Sequence, residues 1–247
     1  CTSCHKFPGE IDAPDGVCAD CNRQSEIGAY LPKANCVWFF NSPEAGKLPI
    51  LGYSVSIGNQ PPEGKKPYLA MKLNDTDLSN LSSWPAVSKY MATYVARRDD
   101  QVLKFEDIAN AADGQKLLGF LKADVDRLGE LFIFGLKRKN VSFDTISRQA
   151  TLSRLLDMFF TGWLESLLNS EFKNCYTVFS GGDDLFLVGP WNEIISLAGR
   201  IQADFDEFTA NPKLTISVGI VITKPDYPMA RAAALVEEEL KKSKSSK

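Results

Sequence analysis

Ser180-Gly181-Gly182-Asp183-Asp184 stands between Cys175–Phe179 and Leu185–Val188. Both flanks are β-branched and aromatic, so the stretch reads as a hairpin with glycines at its tip. A Gly-Gly tip is in itself a common hairpin device. The two adjacent carboxylates say more: they repel one another, and the cost disappears when a divalent cation sits between them and a phosphate. Glycine lets the backbone approach such a ligand closely. In a regular strand Asp183 and Asp184 point to opposite faces, so one is the main ligand and the other stands at the tip or behind it.

The pattern around this hairpin is regular from Lys116 onward. Leu117–Ala123 predicts a strand ending in Asp124-Val125-Asp126, and Leu128–Lys139 a helix. Residues 145–170 predict a longer helix with Leu152, Leu155, Leu156, Phe159, Phe160, Trp163, Leu164 and Leu167 at i, i+3, i+4 spacing; that stripe reads as core, not as a cofactor box. The hairpin at 175–188, a helix at Trp191–Phe208 and a strand at Leu214–Ile222 follow. The last helix, Met229–Lys244, ends in a lysine-rich tail of Lys241, Lys242, Lys244 and Lys247. The order βαββαβ is the split βαβ pattern, which gives an α+β, ferredoxin-like fold class.

In that fold the first strand lies beside the hairpin, so Asp124 comes close to Asp183 and Asp184. Three carboxylates converging from two distant strands suit two-metal phosphoryl transfer, with Mg²⁺ or Mn²⁺ as equally good partners for oxygen ligands. The turn after Asp124 offers backbone N–H groups from Val125 through Asp126 and Leu128 to Gly129, at a helix N-terminus where phosphate binds readily. Asp126 is a candidate for this site, although a place as N-cap of the following helix accounts for it better. The bland alternative is three strand-end acids in solvent.

The upstream chain has a different character. Cys1-x-x-Cys4 and Cys18-x-x-Cys21 are spaced as two knuckles of a structural zinc site, against the alternatives of two disulfides or a redox pair. A segment this small cannot order itself by apolar burial, and a metal would organise it. His5, the one histidine, is a bystander to four thiolates, so no histidine general base is available. Cys36 and Cys175 lie in apolar runs and read as buried thiols. A short helix or turn at 25–34 precedes strands at Asn35–Phe40, Leu48–Ile57 and Pro67–Leu73. Residues 1–75 therefore read as a zinc-stapled β-rich module, 76–115 as a helical connector and 116–247 as the catalytic domain. Within the connector, Trp84–Arg98 has helical spacing of Val87, Tyr90, Met91, Tyr94 and Val95. Arg97-Arg98 then close it as dipole-compensating cations, a better account than an RNA contact. Phe105–Ala112 reads as a short helix closed by Asp113-Gly114.

The chain has 247 residues, 44% of them hydrophobic and 24% charged, with a net charge of −3. That balance gives no bulk attraction for nucleic acid, so any anion site must be local or metal-made. No apolar run approaches the ~20 residues of a membrane span, which predicts no membrane partner. Cysteine usage points to a reducing, cytoplasmic compartment. The first residue is a cysteine and no signal peptide is visible, which reads as part of a larger protein.

Lys122-Ala123-Asp124-Val125-Asp126 with Leu128-Gly129, followed by Ser180-Gly181-Gly182-Asp183-Asp184-Leu185-Phe186, resembles the palm domain of the large subunit of type III CRISPR effector complexes. The cysteine knuckles and Ile27-Gly28…Leu31-Pro32-Lys33-Ala34 resemble that family's zinc-containing linker, so the resemblance spans nearly the whole chain. It implies a nucleotidyltransferase that makes cyclic oligoadenylates from ATP and releases pyrophosphate, as part of an antiviral complex that holds guide RNA and is activated by target RNA. By motif, Asp124, Asp183 and Asp184 would be the catalytic, metal-holding acids, and Ser180, Gly181 and Gly182 would line the nucleotide. Lys241 and Lys244, on one helix face, are similar in place to lysines that meet triphosphate in related palm cyclases; a solvated helix end accounts for them equally well. The departures are an upstream His-Asp nuclease domain, a complete first palm and a C-terminal helical domain, none of which this sequence contains. The resemblance therefore implies no DNA cleavage by this chain, and an isolated piece that binds ATP without turning it over.

Two other function classes compete. A diguanylate-cyclase-like enzyme would have the same fold, but usually has Glu at position 184 and an aromatic directly after it, where this chain has Leu185. A non-catalytic scaffold for RNA and partner subunits would use the zinc module, Arg97-Arg98 and the lysine tail. Repelling carboxylates kept without a ligand argue against it.

Overall fold

The structure is a computed structural model that describes all residues except 3–7, 9–15, 51, 100, 136, 139–140, 143–144 and 247, with the backbone alone at 137–138 and 141–142. The described chain separates into two compact units, Cys1–Tyr90 and Met91–Lys247.

In the first unit, helix α1 (Ala19–Tyr30) begins directly after Cys18 and carries Cys21 in its first turn. The helix expected from residue 25 is the second half of this one. Strands β1 (Cys36–Phe40), β2 (Leu48–Ile50), β3 (Tyr53–Ile57), β4 (Leu69–Leu73) and β5 (Ala86–Lys89) form a sheet in the order β2-β3-β1-β4-β5. Strand alternation buries Cys36, Trp38 and Phe40 of β1 on one face against Ala70 and Leu81. The Trp38 ring meets Trp84 edge-on at 5.3 Å. The single strand expected over Leu48–Ile57 is a hairpin turning at Gly52, where φ is +85°.

The helix expected over Trp84–Arg98 does not form. Ala86–Lys89 instead pairs in parallel with β4, and the amides of Ala70 and Asn74 donate to the carbonyls of Pro85 and Lys89. Valine and tyrosine favour the extended chain, and a ladder beside a buried strand outweighs an i, i+3 coincidence in so short a stretch. Residues 76–90, read from sequence as the start of a connector, therefore lie in the first unit, and the boundary falls between Tyr90 and Met91.

In the second unit, Arg97-Arg98 are not a helix end. They form strand β6 (Arg97–Arg98) of a two-residue ladder with β7 (Gln101–Val102), followed by helix α2 (Phe105–Asn110). The main elements are β8 (Leu118–Val125), a short turn α3 (Leu128–Glu130), a small ladder of β9 (Lys137–Arg138) and β10 (Val141–Ser142), α4 (Ile146–Met158), α5 (Leu164–Ser170), β11 (Tyr176–Gly181), β12 (Asp184–Pro190), α6 (Trp191–Thr209), β13 (Ile216–Thr223) and α7 (Met229–Ser245). The helix expected over Leu128–Lys139 is cut short. Arg127 is left-handed at φ +54°, a π-type turn occupies Leu131–Gly135, and β9 follows. The run Phe132-Ile133-Phe134 is a poor helix former, which weakens any longer helix.

The four long strands order as β11-β12-β8-β13, every neighbouring pair antiparallel. Strands β8 and β11 thus run parallel with β12 between them. Period-two alternation divides β8 between two cores. Leu121, Ala123 and Val125 face α4, α5 and α6 with Phe160, Leu164 and Phe205. Leu118 and Phe120 face the other way, toward α2 and α7 with Ile108, Ala232 and Val236. Lys122 and Asp124 share that second face by the same alternation. Between α4 and α5 the chain passes through a π-type turn, Phe159–Trp163. The extra residue shifts the helix phase, so Phe159 and Phe160 are buried while Leu155, expected in the core stripe, is 45% exposed.

Gly219 of β13 sets the distance of α7. A Cβ there would lie 2.5 Å from the Leu240 nitrogen and 2.7 Å from the Val236 carbonyl oxygen. Only glycine admits the helix backbone so close, and this contact carries the C-terminal turn of α7 along the sheet face that holds Asp124.

Candidate active site

The hairpin turns through Gly182 and Asp183, with Gly182 at φ +68°. Asp184 opens β12 directly opposite Asp124 of β8, and Asp124 in turn pairs with Ser217 of β13. Asp183 stays beside the end of β8, where its carbonyl accepts the Val125 N–H at 3.0 Å. Alternation places Asp124 and Asp184 on the α7 face. The sheet thus brings together the three acids expected from sequence.

Their electrostatics reflect this crowding. Burial, and then the Asp124 charge, raise the Asp183 carboxyl above its usual range. Burial, then Asp183 and Asp124, do the same for Asp184, opposed by Lys122. Such a set is short of positive charge, and hard carboxylate oxygens match Mg²⁺ or Mn²⁺. The ammonium of Lys244, from the last turn of α7, pairs with Asp124 Oδ1 and is a cation already drawn to this position. Nearby, Lys122 donates to Glu237 at 2.6 Å and holds its carboxyl below the usual range. Lys241 faces the other oxygen of Glu237 at 3.5 Å and is largely exposed.

Several expected roles change. The Val125 and Asp126 amides are consumed inside the sheet, by Asp183 and by the Thr215 carbonyl at 2.8 Å, so neither points at a phosphate. Asp126 is not the cap of the next helix either; Arg127 occupies that position. The Asp126 carboxylate is buried and accepts from the Thr215 and Ser217 hydroxyls, each at 2.6 Å. Leu128 is half-buried against the core, and Gly129 has open space around its α-carbon. The Ser180 hydroxyl turns away from the tip and donates to the Phe160 carbonyl at 2.6 Å. Gly181 is the last residue of β11, paired with Asp184.

Sequence reasoning missed Asp157, whose Oδ1 accepts the Gly182 N–H at 3.3 Å, and Glu237 with its partner Lys122. Both contacts span large sequence distances, and no local pattern marks them.

In the first unit the sulfurs of Cys1, Cys18 and Cys21 all lie within 4.8 Å of one another. The Cys18 amide donates to the Cys1 sulfur at 3.2 Å, and the Thr2 amide to the Gly16 carbonyl at 3.2 Å. A three-way gathering of sulfurs fits a thiolate metal centre. Cys4 and His5 lie outside the described residues.

An α+β palm domain is the class of protein that this sheet and its acid-bearing hairpin define. Residues 117–247 match the Cas10/Cmr2 second palm domain, and the chain belongs to that family. Among curated relatives, the Cas10/Csm1 single-strand-specific deoxyribonuclease of the subtype III-A CRISPR system of Methanocaldococcus jannaschii is 40% identical over 162 residues, covering 60% of this chain and 20% of that protein. Its counterpart from Thermococcus onnurineus is 31% identical over 258 residues, covering 96% of this chain and 32% of that protein. The chain thus spans a third or less of these relatives. The Csm1–Csm4 subcomplex of the type III-A interference complex superposes with a TM-score of 0.78 at 30% identity, over 92% of this chain and 33% of that one. A Csm1–Csm4 cassette in complex with one ATP gives 0.75 at 28% identity, over 92% and 33%. The cassette in complex with cA4 gives 0.71 at 27% identity, over 85% and 31%.

No described helix is long and apolar enough to cross a membrane.

Proposed function

We propose that this chain is the catalytic palm of a nucleotidyltransferase that makes cyclic oligoadenylates from ATP within a type III CRISPR effector complex, responding to target RNA paired with guide RNA. The observation that carries the reading is the register pairing of Asp184 with Asp124 beside the Gly182-Asp183 turn. The ferredoxin-like arrangement of the sheet supports it, as does the likeness to Csm1–Csm4 structures holding ATP and cA4. A Csm4-like subunit is the partner that those structures suggest.

Asp124, Asp183 and Asp184 would hold Mg²⁺ or Mn²⁺. Bound there, the metal would make an attacking ribose hydroxyl more acidic and neutralise charge on the triphosphate. The chain's own residues bind and orient. Gly181 and Gly182 let the nucleotide approach the turn without a side chain in the way. Lys244 stands at the acids and Lys241 one turn before it on the same helix, so both are cations available to the triphosphate. Of the turn after β8, Leu128 and Gly129 remain as candidates for backbone contact. Cys1, Cys18 and Cys21, with Cys4, would hold a structural Zn²⁺ in the first unit.

The test is product analysis by mass spectrometry after the assembled complex is given ATP, Mn²⁺ and target RNA. Cyclic oligoadenylate from the wild type and none from Asp183→Ala/Asp184→Ala supports the reading. Equal product from both overturns it, and a product made from GTP but not ATP moves the chain to the diguanylate-cyclase class.

A further inference from the structure

The carboxylates of this site repel one another, yet the turn that carries two of them has few contacts of its own. We propose that Asp157 is a positioning residue, the anchor of a brace that holds the Gly182-Asp183 turn in metal-ready geometry against that repulsion. The inference rests on the metal–nucleotide reading of the site.

Three observations define the brace. Asp157 Oδ1 accepts the Gly182 N–H at 3.3 Å, across 25 residues of sequence. The Ser180 hydroxyl donates to the Phe160 carbonyl at 2.6 Å, so the strand before the turn is bound to the same helix. Phe160 lies in the π-type turn Phe159–Trp163, and the Thr161 hydroxyl returns to the Asp157 carbonyl at 2.6 Å. A π-type insertion re-aims carbonyls that a regular helix would keep for itself.

The turn is thus gripped from two directions: Asp157 takes the Gly182 amide on one side, and the Val125 amide takes the Asp183 carbonyl on the other. Asp157 does not figure among the charges that shift Asp183 or Asp184. Its carboxylate acts on the backbone of the turn, in a charge-assisted bond to an amide. Fixing the turn before ligand arrives removes the cost of gathering like charges at the moment of binding. Ser180 is then a second brace residue that acts through the helix, rather than a group that touches nucleotide.

The test uses the full-length protein with Asp157→Ala, Asp157→Asn and Ser180→Ala. Hydrogen–deuterium exchange over residues 176–190 without ligand reads the brace itself. Faster exchange is expected in Asp157→Ala, and unchanged exchange overturns the inference whatever the site binds. Mn²⁺ affinity in the presence of ATP, read by electron paramagnetic resonance, gives the functional arm. A roughly tenfold loss is expected for Asp157→Ala, with most of it restored by Asn, which keeps an acceptor. A variant that melts lower yet binds Mn²⁺ as the wild type does marks Asp157 as merely structural and overturns the proposal. A wild type that binds no Mn²⁺ with ATP overturns the reading of the site, and this inference with it, while leaving the exchange result intact.

Discussion

Lys244 on the last turn of α7 pairs with Asp124 at the end of β8, across 120 residues of sequence. This ion pair puts a positive charge where the proposed site would take a metal. A divalent cation and the lysine therefore compete for one carboxylate. Lys244→Ala should bind Mn²⁺ alone several-fold more tightly than the wild type, and ATP with Mn²⁺ roughly tenfold more weakly, the scale of one lost charge-assisted contact. Lys242→Ala, which loses only a surface pair with Glu239, should change neither. Calorimetric titration of both ligands checks the opposite signs; a loss of metal affinity in Lys244→Ala would refute the competition.

The acids make the ligand-free protein sensitive to pH. Asp183 has its pKa raised, by burial first and then by Asp124. A carboxyl raised on folding gives stability that is full below its unfolded pKa, about 3.9, and is lost as pH rises through the folded value. Asp183→Asn removes that loss. Without metal, the variant should melt above the wild type by about 1–3 °C near pH 7, with the gap closing toward pH 4 because the site is partly solvated. Mn²⁺ should reverse the order, since only the wild type keeps the full ligand set. Melting curves at several pH values, with and without Mn²⁺, test both signs.

Gly219 links the fold to the site. A methyl group there meets the α7 backbone at 2.5–2.9 Å, which no rotamer change relieves. Gly219→Ala should destabilise the second unit by about 1–3 kcal/mol. It should also weaken ATP binding by lifting Lys244 from Asp124. Gly199→Ala, at a helical position with nothing within 4 Å, is the control and should be neutral or slightly stabilising.

Zinc content tests the first unit. Purified protein should hold about one zinc per chain, the stoichiometry of a single four-thiolate centre. Cys18→Ser or a strong chelator should remove it and lower the melting temperature of the first unit. Metal analysis that finds no zinc in the wild type would end that assignment.

Much of the second unit was legible because its elements are long and periodic. The alternation in β8, β12 and β13 and the apolar stripe of α4–α5 each predict their own element, and the βαββαβ order brings Asp124 to Asp183 and Asp184. What sequence hid depends on partners far along the chain. Ala86–Lys89 is a strand because β4 lies beside it, not because of its own spacing. Asp126 was misread as a cap because the Thr215 and Ser217 hydroxyls that engage it come from the other end of the unit. Asp157 and Lys244 carry no local signal at all: one lies inside a helix and the other in a solvated lysine run, and only the folded sheet shows what each faces.

The most direct measurement is ATP titration by calorimetry in the presence of Mn²⁺, on the full-length protein and on its Asp183→Ala/Asp184→Ala form. The account predicts Mn²⁺-dependent binding in the wild type that falls by more than about tenfold in the double variant, as expected when a nucleotide's metal loses two of its carboxylates. Equal binding by the two forms would place the nucleotide elsewhere and contradict the account.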